Sequence, residues 1–134
     1  MPSAGSIRRS ILVVDDDVGM ADTLTDIFEA NQYEVTTAYS GDAALSMAAR
    51  GVYDLVLMDI QMPGLNGVQA LSAMKAAGLV ACVIMMTAYT RDELVKEAER
   101  QSGFPVMPKP LDLDRVLTLA ASAACRSGRA GESR

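Results

Sequence analysis

Residues 11–17 read ILVVDDD and residues 55–59 read LVLMD. In both stretches, four apolar residues are followed directly by aspartate. Short apolar runs rich in Val, Ile and Leu are typical of strands that are buried on both faces of a parallel sheet. The two stretches therefore predict central strands that carry acidic side chains to one edge of the sheet.

Segments with helical periodicity separate these strands from three further predicted strands. A helix follows the first strand, with Met20, Leu24 and Phe28 on one face. The other predicted strands are at residues 34–39, 83–87 and 106–107. Two further helices are predicted between them, one capped by Ser40 and ended by Gly51, and one that stops at Gly78. A fourth helix begins with a capping box of Thr90 and Glu93 and runs to about Gln101, and Asp112 caps the last helix. Five βα units in a row predict an α/β fold, a single-domain (βα)5 flavodoxin-like doubly wound parallel sheet with strand order 2-1-3-4-5.

Length and composition bound the class of protein. A chain of 134 residues of which 50% are apolar fits one globular domain. We predict a flexible tail over residues 1–9, a domain over residues 10–124, and a flexible tail or linker over residues 125–134. With 17 acidic and 12 basic residues, the net charge of −5 argues against direct nucleic-acid binding and against a polybasic membrane anchor.

Missing residue types exclude several chemistries. The chain has no histidine, which excludes Ser-His-Asp and Cys-His catalysis, imidazole metal ligands and phosphohistidine formation within it. Cys82 and Cys125 are far apart in apolar surroundings, as is typical of reduced thiols. The longest apolar run, residues 79–86, is too short to cross a bilayer, and no signal peptide is recognisable at the N-terminus. We expect a cytoplasmic protein without membrane insertion.

Polar side chains end the predicted strands, and we expect them to meet in one crevice: Asp15, Asp16, Asp59, Thr87 and Lys109. Three carboxylates repel each other unless cations balance them, and the lysine supplies one positive charge. A divalent cation would neutralise the crevice, and all-oxygen ligation suits Mg²⁺, with Mn²⁺ as an alternative. Such a crevice suits a phosphoryl group. The nucleophile is then a carboxylate or Thr87, and Asp59 is the better candidate because it lies between the paired acids and the lysine.

Four motifs in this order resemble the receiver domain of two-component response regulators, the CheY-like family. They are ILVVDDD at residues 11–17, LVLMDIQMPGLNG at 55–67, MMTAY at 85–89, and the pair Lys109-Pro110. The resemblance covers about residues 10–124. It implies a phosphoacceptor signalling domain with Mg²⁺ as cofactor, not an enzyme, whose chemistry is confined to phosphotransfer to itself and autodephosphorylation.

The resemblance also implies roles for the acidic residues. Asp59 would accept a phosphoryl group from a histidine of a sensor histidine kinase or a histidine phosphotransfer protein. Asp16 would ligate the metal directly and Asp15 largely through metal-bound water. Asp59 and the backbone carbonyl of Gln61 would be further ligands.

The remaining residues of the resemblance would bind the phosphoryl group and report its arrival. Lys109 would pair with phosphoryl oxygens, Thr87 would move to hydrogen-bond one of them, and Ala88 would leave room and offer its N–H. In the family the bond before Pro110 is cis, which would aim the lysine inward. The charge change would bias a two-state element and alter the surface of helix 4, strand 5 and helix 5, where a downstream protein would bind. We expect a monomer or a phosphorylation-dependent dimer.

Two positions near the site depart from the family pattern, and a third, Tyr89, carries a separate hypothesis. Receivers usually have tyrosine or phenylalanine three residues before the lysine, whereas this chain has Val106 there. Pro108 directly before the lysine is a second departure, and it stiffens the loop. Tyr89, two residues after Thr87, is a candidate for overhanging the phosphate and hindering attack by water.

Three alternatives remain open from the sequence. The chain is either a single-domain regulator, which we favour, or the receiver fragment of a longer regulator whose output domain is absent. A remote alternative is a haloacid-dehalogenase-type phosphatase, with Asp15 as nucleophile and Asp17 as acid. A third is a degenerate receiver that only docks to other proteins, which the substitution at Val106 keeps open.

Overall fold

The structure, a computed structural model, describes residues 9–125, with the surroundings of side chains described to residue 122. Five parallel strands form one sheet in the order β2-β1-β3-β4-β5, which confirms the predicted fold class. The strands are β1 (Arg9–Val14), β2 (Tyr33–Ala38), β3 (Leu55–Asp59), β4 (Cys82–Thr87) and β5 (Met107–Pro108), and the helices are α1 (Val18–Ala30), α2 (Gly41–Arg50), α3 (Gly67–Ala76), α4 (Leu94–Ser102) and α5 (Leu113–Cys125).

The two stretches that decided the prediction lie at the centre of the sheet. β3 pairs with β1 on one side and with β4 on the other, and every residue of β3 is buried. Leu12 aligns with Val56 and Val14 with Met58 across the β1–β3 pair. Both strands therefore end at the same level, which brings the acids that follow them to one edge.

Helices cover both faces of the sheet, so the core has two layers. One layer contains Leu24 and Phe28 of α1 together with Val116 of α5. The other layer contains apolar residues of α2, α3 and α4, among them Leu71 and Ala98. This double covering explains why the central strands are apolar on both faces.

The predicted N-caps of α2 and α5 are confirmed, and Asp17 caps α1. The Asp17 carboxylate accepts the N–H of Met20 at the start of α1, and the Ser40 hydroxyl accepts the N–H of Ala43 at the start of α2. Asp112 accepts the N–H of Arg115 at 3.2 Å at the start of α5. Polar side chains at these positions supply acceptors for backbone donors that a helix leaves unpaired.

The predicted capping box of α4 is wrong. Glu93 makes no side-chain cap bond, and residues 90–93 form a turn instead of a helical start. The carboxylate of Asp92 accepts the N–H of Leu94 at 2.8 Å. Asp92 takes the capping role because its short side chain reaches the backbone two residues ahead, as aspartates in turns commonly do.

Two predicted strands are shifted by one residue. β2 begins at Tyr33 and ends at Ala38, because its pairing with β1 stops where Ala38 faces Val14. β5 begins at Met107, because the N–H of Val106 donates to the side chain of Glu99 at 2.8 Å. β5 is consequently a two-residue strand at the edge of the sheet.

Both predicted tails lie mostly outside the described residues. Residues 1–8 and 126–134 belong to them, and the structure gives no test of their conformation. Among residues 9–125, no helix has both the length and the apolar content that a bilayer crossing requires.

Candidate phosphoacceptor site

The fold places Asp59 at the centre of the carboxyl edge of the sheet. Asp59 is the last residue of β3, between β1 and β4, and it is 5% exposed. The N–H of Ile60 donates to the carbonyl of Met86 at 2.9 Å, which extends the β3–β4 pairing past the acid. A Cβ at Gly67 would lie 2.5 Å from the carbonyl oxygen of Asp59, so the start of α3 approaches the acid as only glycine permits.

Lys109 reaches into the crevice from the loop after β5 and contacts two acids. Its Nζ lies 2.7 Å from Asp15 Oδ2 and 3.2 Å from Asp59 Oδ2. The backbone N–H of Lys109 donates to the carbonyl of Thr87 at 2.8 Å, which fixes the lysine's loop to the end of β4. The peptide bond between Lys109 and Pro110 is cis. One ammonium group thus balances part of the negative charge of two buried carboxylates.

The three predicted metal-ligating acids lie close together. Asp15, Asp16 and Asp59 each offer a carboxylate oxygen, and these three oxygens lie within 4.8 Å of one another. Asp15 is fully buried and also accepts the N–H of Asp17 at 3.0 Å, whereas Asp16 is exposed. With Lys109 as the counter-charge, the cluster carries a residual formal charge of about −2, which a divalent cation would neutralise. The oxygen donors fit Mg²⁺.

The surroundings of Asp59 and Lys109 change how readily each group ionises. Burial raises the pKa of Asp59 to about 6; Lys109 acts against this increase, and Asp15 adds to it. Burial alone would lower the pKa of Lys109, but its hydrogen bond to Asp15 and the charges of both acids raise it overall. At neutral pH Asp59 is therefore mainly a carboxylate beside a firmly protonated lysine.

A cavity of about 620 Å³ opens above these groups, and most of the predicted site residues line it. Its walls include Ala88 and Tyr89 from the loop after β4, and Gln61 from the loop after β3. The backbone N–H of Gln61 donates to Asp59 Oδ1 at 3.2 Å. Tyr89 is 63% exposed at the rim of this cavity. The cavity is large enough for a phosphoryl group.

Two of the predicted site residues, Thr87 and Val106, do not line the cavity. Thr87 is fully buried, and its Oγ1 accepts the N–H of Tyr89 at 2.9 Å. The Thr87 hydroxyl is therefore hydrogen-bonded to the backbone of the loop after β4. Val106 is half-buried and packs against the core layer formed with α2, α3 and α4. Phe104, two residues earlier, is buried in the opposite layer.

Sequence reasoning missed one contact beside the site. The side-chain amide of Gln61 donates to Asp92 Oδ2, which joins the loop after β3 to the turn before α4. From the sequence, only the backbone carbonyl of Gln61 was assigned a role, as a metal ligand, and Asp92 was assigned none. Aspartate two residues before an apolar helix start is a recognisable capping signal. The pairing with Gln61 has no such signal, because it depends on how two distant loops pack.

The carboxyl edge of this (βα)5 sheet brings three acids and a lysine together, as the resemblance to receiver domains led us to expect. The sequence model of the response regulator receiver domain matches residues 11–121. The chain belongs to this family, whose members work in two-component signalling with histidine kinases or phosphotransfer partners and bind Mg²⁺ at an aspartate cluster.

Curated relatives include both short and long proteins. The chain is 32% identical to sporulation initiation phosphotransferase F of Bacillus subtilis over 82% of its own length and 89% of that protein. It is 35% identical to the transcriptional regulatory protein ZraR of Salmonella typhimurium over 92% of its own length. That match spans 28% of ZraR, so the chain corresponds to a part of such longer regulators.

Solved structures agree with this assignment. The chain is 30% identical to a chain of the CheX-CheY-BeF3-Mg complex from Borrelia burgdorferi, with a TM-score of 0.81 over 91% of this chain and 93% of that one. It is 29% identical to the response regulator TrrA of Thermotoga maritima in complex with Mg²⁺ and BeF, with a TM-score of 0.75 over 86% of this chain and 98% of that one.

The phosphatase alternative is therefore wrong for this chain. It required Asp17 to act as an acid in the crevice, but the Asp17 carboxylate accepts the N–H of Met20 at 3.1 Å and caps α1.

Proposed function

We propose that this receiver accepts a phosphoryl group on Asp59 from a phosphohistidine of a sensor histidine kinase or a histidine phosphotransfer protein. The observation that carries the proposal is the contact of Lys109 with both Asp15 and Asp59, at 2.7 and 3.2 Å, under an open cavity. It supports Asp59 as acceptor because Asp59 lies at the point where the acids, the lysine and the cavity meet.

In the proposed reaction, a carboxylate oxygen of Asp59 attacks phosphorus as the phosphorus–nitrogen bond of the donor breaks. The imidazole leaves with the electron pair of that bond and takes up a proton, and an acyl phosphate remains on Asp59. Lys109 Nζ, already 3.2 Å from Asp59, offers a positive charge to the phosphoryl oxygens. Hydrolysis of the acyl phosphate by water returns the carboxylate.

The Mg²⁺ would be held by three acids, Asp15, Asp16 and Asp59, and by the backbone carbonyl of Gln61. Mn²⁺ would fit the same oxygen donors. The bound cation would supply positive charge that offsets the repulsion between the acids and the incoming phosphoryl group. The fit rests on three carboxylate oxygens within 4.8 Å of one another and one lysine as counter-charge.

The loop after β4 would respond to the phosphoryl group. We propose that Thr87 exchanges its hydrogen bond with the N–H of Tyr89 for one to a phosphoryl oxygen. The N–H of Ala88, at the cavity wall, would offer a further donor. The displacement of this loop would alter the face made by α4, β5 and α5, which we propose as the docking surface for a downstream protein. We propose that this signalling takes place in the cytoplasm.

Tyr89 at the cavity rim would slow the loss of phosphate by hindering the approach of water. Tyr89→Ala is then expected to dephosphorylate several-fold faster, while Tyr89→Phe, which retains the ring, keeps the slow rate. Decay of radiolabelled phosphoprotein after removal of the donor measures both rates. An unchanged rate in Tyr89→Ala would remove this role.

The proposed acceptor is tested by incubating the chain with labelled acetyl phosphate and Mg²⁺. We expect label on the wild type and none on Asp59→Asn. Asp15→Asn is expected to label slowly, because it retains the nucleophile but loses a cation-binding charge. Label that survives in Asp59→Asn and disappears in Asp15→Asn would contradict the proposal.

A sizing column and a pull-down of the same labelled sample would then separate the remaining possibilities for assembly. A shift to twice the mass with label, absent in Asp59→Asn, would identify a phosphorylation-dependent dimer. An unchanged elution volume at the position of one chain would identify a monomer, and the pull-down would then show whether it binds other proteins.

A further inference from the structure

Asp92 divides its two carboxylate oxygens between two parts of the molecule. Oδ1 accepts the N–H of Leu94 at 2.8 Å and caps the first turn of α4. Oδ2 accepts the side-chain amide of Gln61, which belongs to the loop after the acceptor strand. A capping role alone uses one oxygen, so the second contact needs a separate explanation.

Gln61 connects this second contact to the acceptor. Its backbone N–H donates to Asp59 Oδ1 at 3.2 Å while its side chain holds Asp92. A phosphoryl group would convert the Asp59 carboxylate into an acyl phosphate, whose carboxyl oxygens are weaker acceptors than those of the free anion. Loading of Asp59 would therefore change the backbone position of Gln61 and, with it, the contact to Asp92.

A second chain of hydrogen bonds leads from the site to the same residue. The N–H of Tyr89 donates to Thr87 Oγ1 at 2.9 Å, and the N–H of Asp92 donates to the carbonyl of Tyr89 at 3.0 Å. A change in the hydrogen bonding of Thr87 would thus also reach Asp92. The first chain ends on the Asp92 side chain that caps α4, whereas the second ends on the Asp92 backbone.

We propose that Asp92 is a positioning residue that transmits the loading of Asp59 to the first turn of α4 through the side chain of Gln61. The inference rests on the proposed function, because it needs Asp59 to be the loaded residue. It gives this chain a connection between acceptor and α4 that does not use the side chain at position 106, where valine has no ring to rotate.

The test is residue-resolved amide hydrogen exchange by NMR on the full chain, with and without Mg²⁺ and beryllium fluoride as the phosphoryl analogue. In the wild type, we expect loading to change the exchange rates of the Leu94 and Val95 amides by about fivefold or more, the scale of one hydrogen bond. In Gln61→Met, which keeps the cap but loses the amide donor, the change should fall below about twofold.

Two variants of Asp92 and one control separate the connection from the cap. Asp92→Ser keeps an acceptor for the N–H of Leu94 but is too short to reach Gln61, so its response should be lost as well. Asp92→Asn should keep most of the response, because the Gln61 amide can rotate and accept from the new amide. Asp112→Ser removes the carboxylate cap of α5 and should leave the α4 response at the wild-type level.

The possible results distinguish this inference from the proposed function. If Gln61→Met and Asp92→Ser bind the analogue and keep the full response of α4, the inference is wrong and the acceptor assignment stands. If the wild type binds the analogue while Leu94 and Val95 do not respond, the inference is also wrong. If the analogue leaves the amides around Asp59 and Lys109 unchanged, the proposed function itself fails.

Discussion

Helices α1 and α4 follow two loops that both line the acceptor cavity, yet the two helices are attached to the rest of the molecule in different ways. Three residues of α1 are buried against the sheet, namely Ala21, Leu24 and Phe28. Within the described residues of α4, Ala98 is the buried one. Burying a large apolar side chain stabilises a fold by roughly 1.5–3 kcal/mol. α1 is therefore held mainly by the hydrophobic effect.

α4 is held largely by side-chain hydrogen bonds at its two ends and along one face. Its first turn is tied to Asp92, Glu99 accepts the N–H of Val106, and Gln101 accepts from Ser72 Oγ at 3.0 Å. Lys75 also donates to the carbonyl of Gln101. Such bonds each contribute about 1 kcal/mol net and can be exchanged for others. The difference suggests that a charge change at Asp59 repositions α4 while α1 stays in place.

The largest expected effect on the free energy of unfolding comes from truncating a buried apolar side chain of α1. Phe28→Ala removes a fully buried ring that meets Tyr33 edge-on, with ring centroids 5.1 Å apart, so we expect a loss of about 4 kcal/mol in the free energy of unfolding. Val95→Ala in α4 should cost about 1 kcal/mol, because this side chain is only half-buried. Urea unfolding measures both, and equal losses would contradict the contrast.

The second prediction concerns the charge between the two helices. Burial raises the pKa of Asp59 to about 6, so the folded state keeps a proton that the unfolded state releases near pH 4. Because the unfolded state then binds fewer protons, this difference in proton binding lowers the free energy of unfolding as pH rises from about 4 to about 6. Asp59→Asn lacks it and should be more stable at pH 7, without divalent cations, by about 1–2 kcal/mol.

The measurement is the difference in unfolding free energy between the wild type and Asp59→Asn from about pH 4 to about pH 7. The difference should grow over the lower part of this range and then level off. Added Mg²⁺ should reduce it, because the cation stabilises the carboxylate. A difference that does not depend on pH would contradict the raised pKa of Asp59.

The smallest expected effect comes from the far end of α4. Gln101→Ala removes the contacts of its side chain with Ser72 and with Glu97. We expect amides of the last turn of α4 to exchange about fivefold faster, with little change in global stability, because the lost bonds are partly exposed. Exchange in α1 serves as the internal control. Faster exchange throughout both helices would instead indicate that Gln101 supports the whole fold.

The sequence allowed most of the fold and of the acceptor site to be predicted, for a physical reason. Apolar runs that end in acids, such as residues 11–17 and 55–59, determine both the strand and the side chain at its end. Parallel pairing then brings Asp15, Asp59 and Lys109 together without further information.

The parts that the sequence did not predict depend on packing between loops. The bond from Gln61 to Asp92 joins residues in two loops, and no periodicity or local propensity encodes it. The start of α4 was misassigned for a related reason, since Thr90 and Glu93 match a capping box while the turn leaves Asp92 as the cap. Val106 was correctly placed near β5, but its N–H bonds to Glu99 rather than continuing the strand.

The most direct test of the account is amide hydrogen exchange in α1 and α4 of the same sample, before and after Mg²⁺ and beryllium fluoride are added. We predict changed exchange at the first turn of α4 and unchanged exchange at Leu24 and Phe28 in the wild type, and unchanged exchange in both helices of Asp59→Asn. Equal changes in both helices, or a response of α4 that persists in Asp59→Asn, would contradict it.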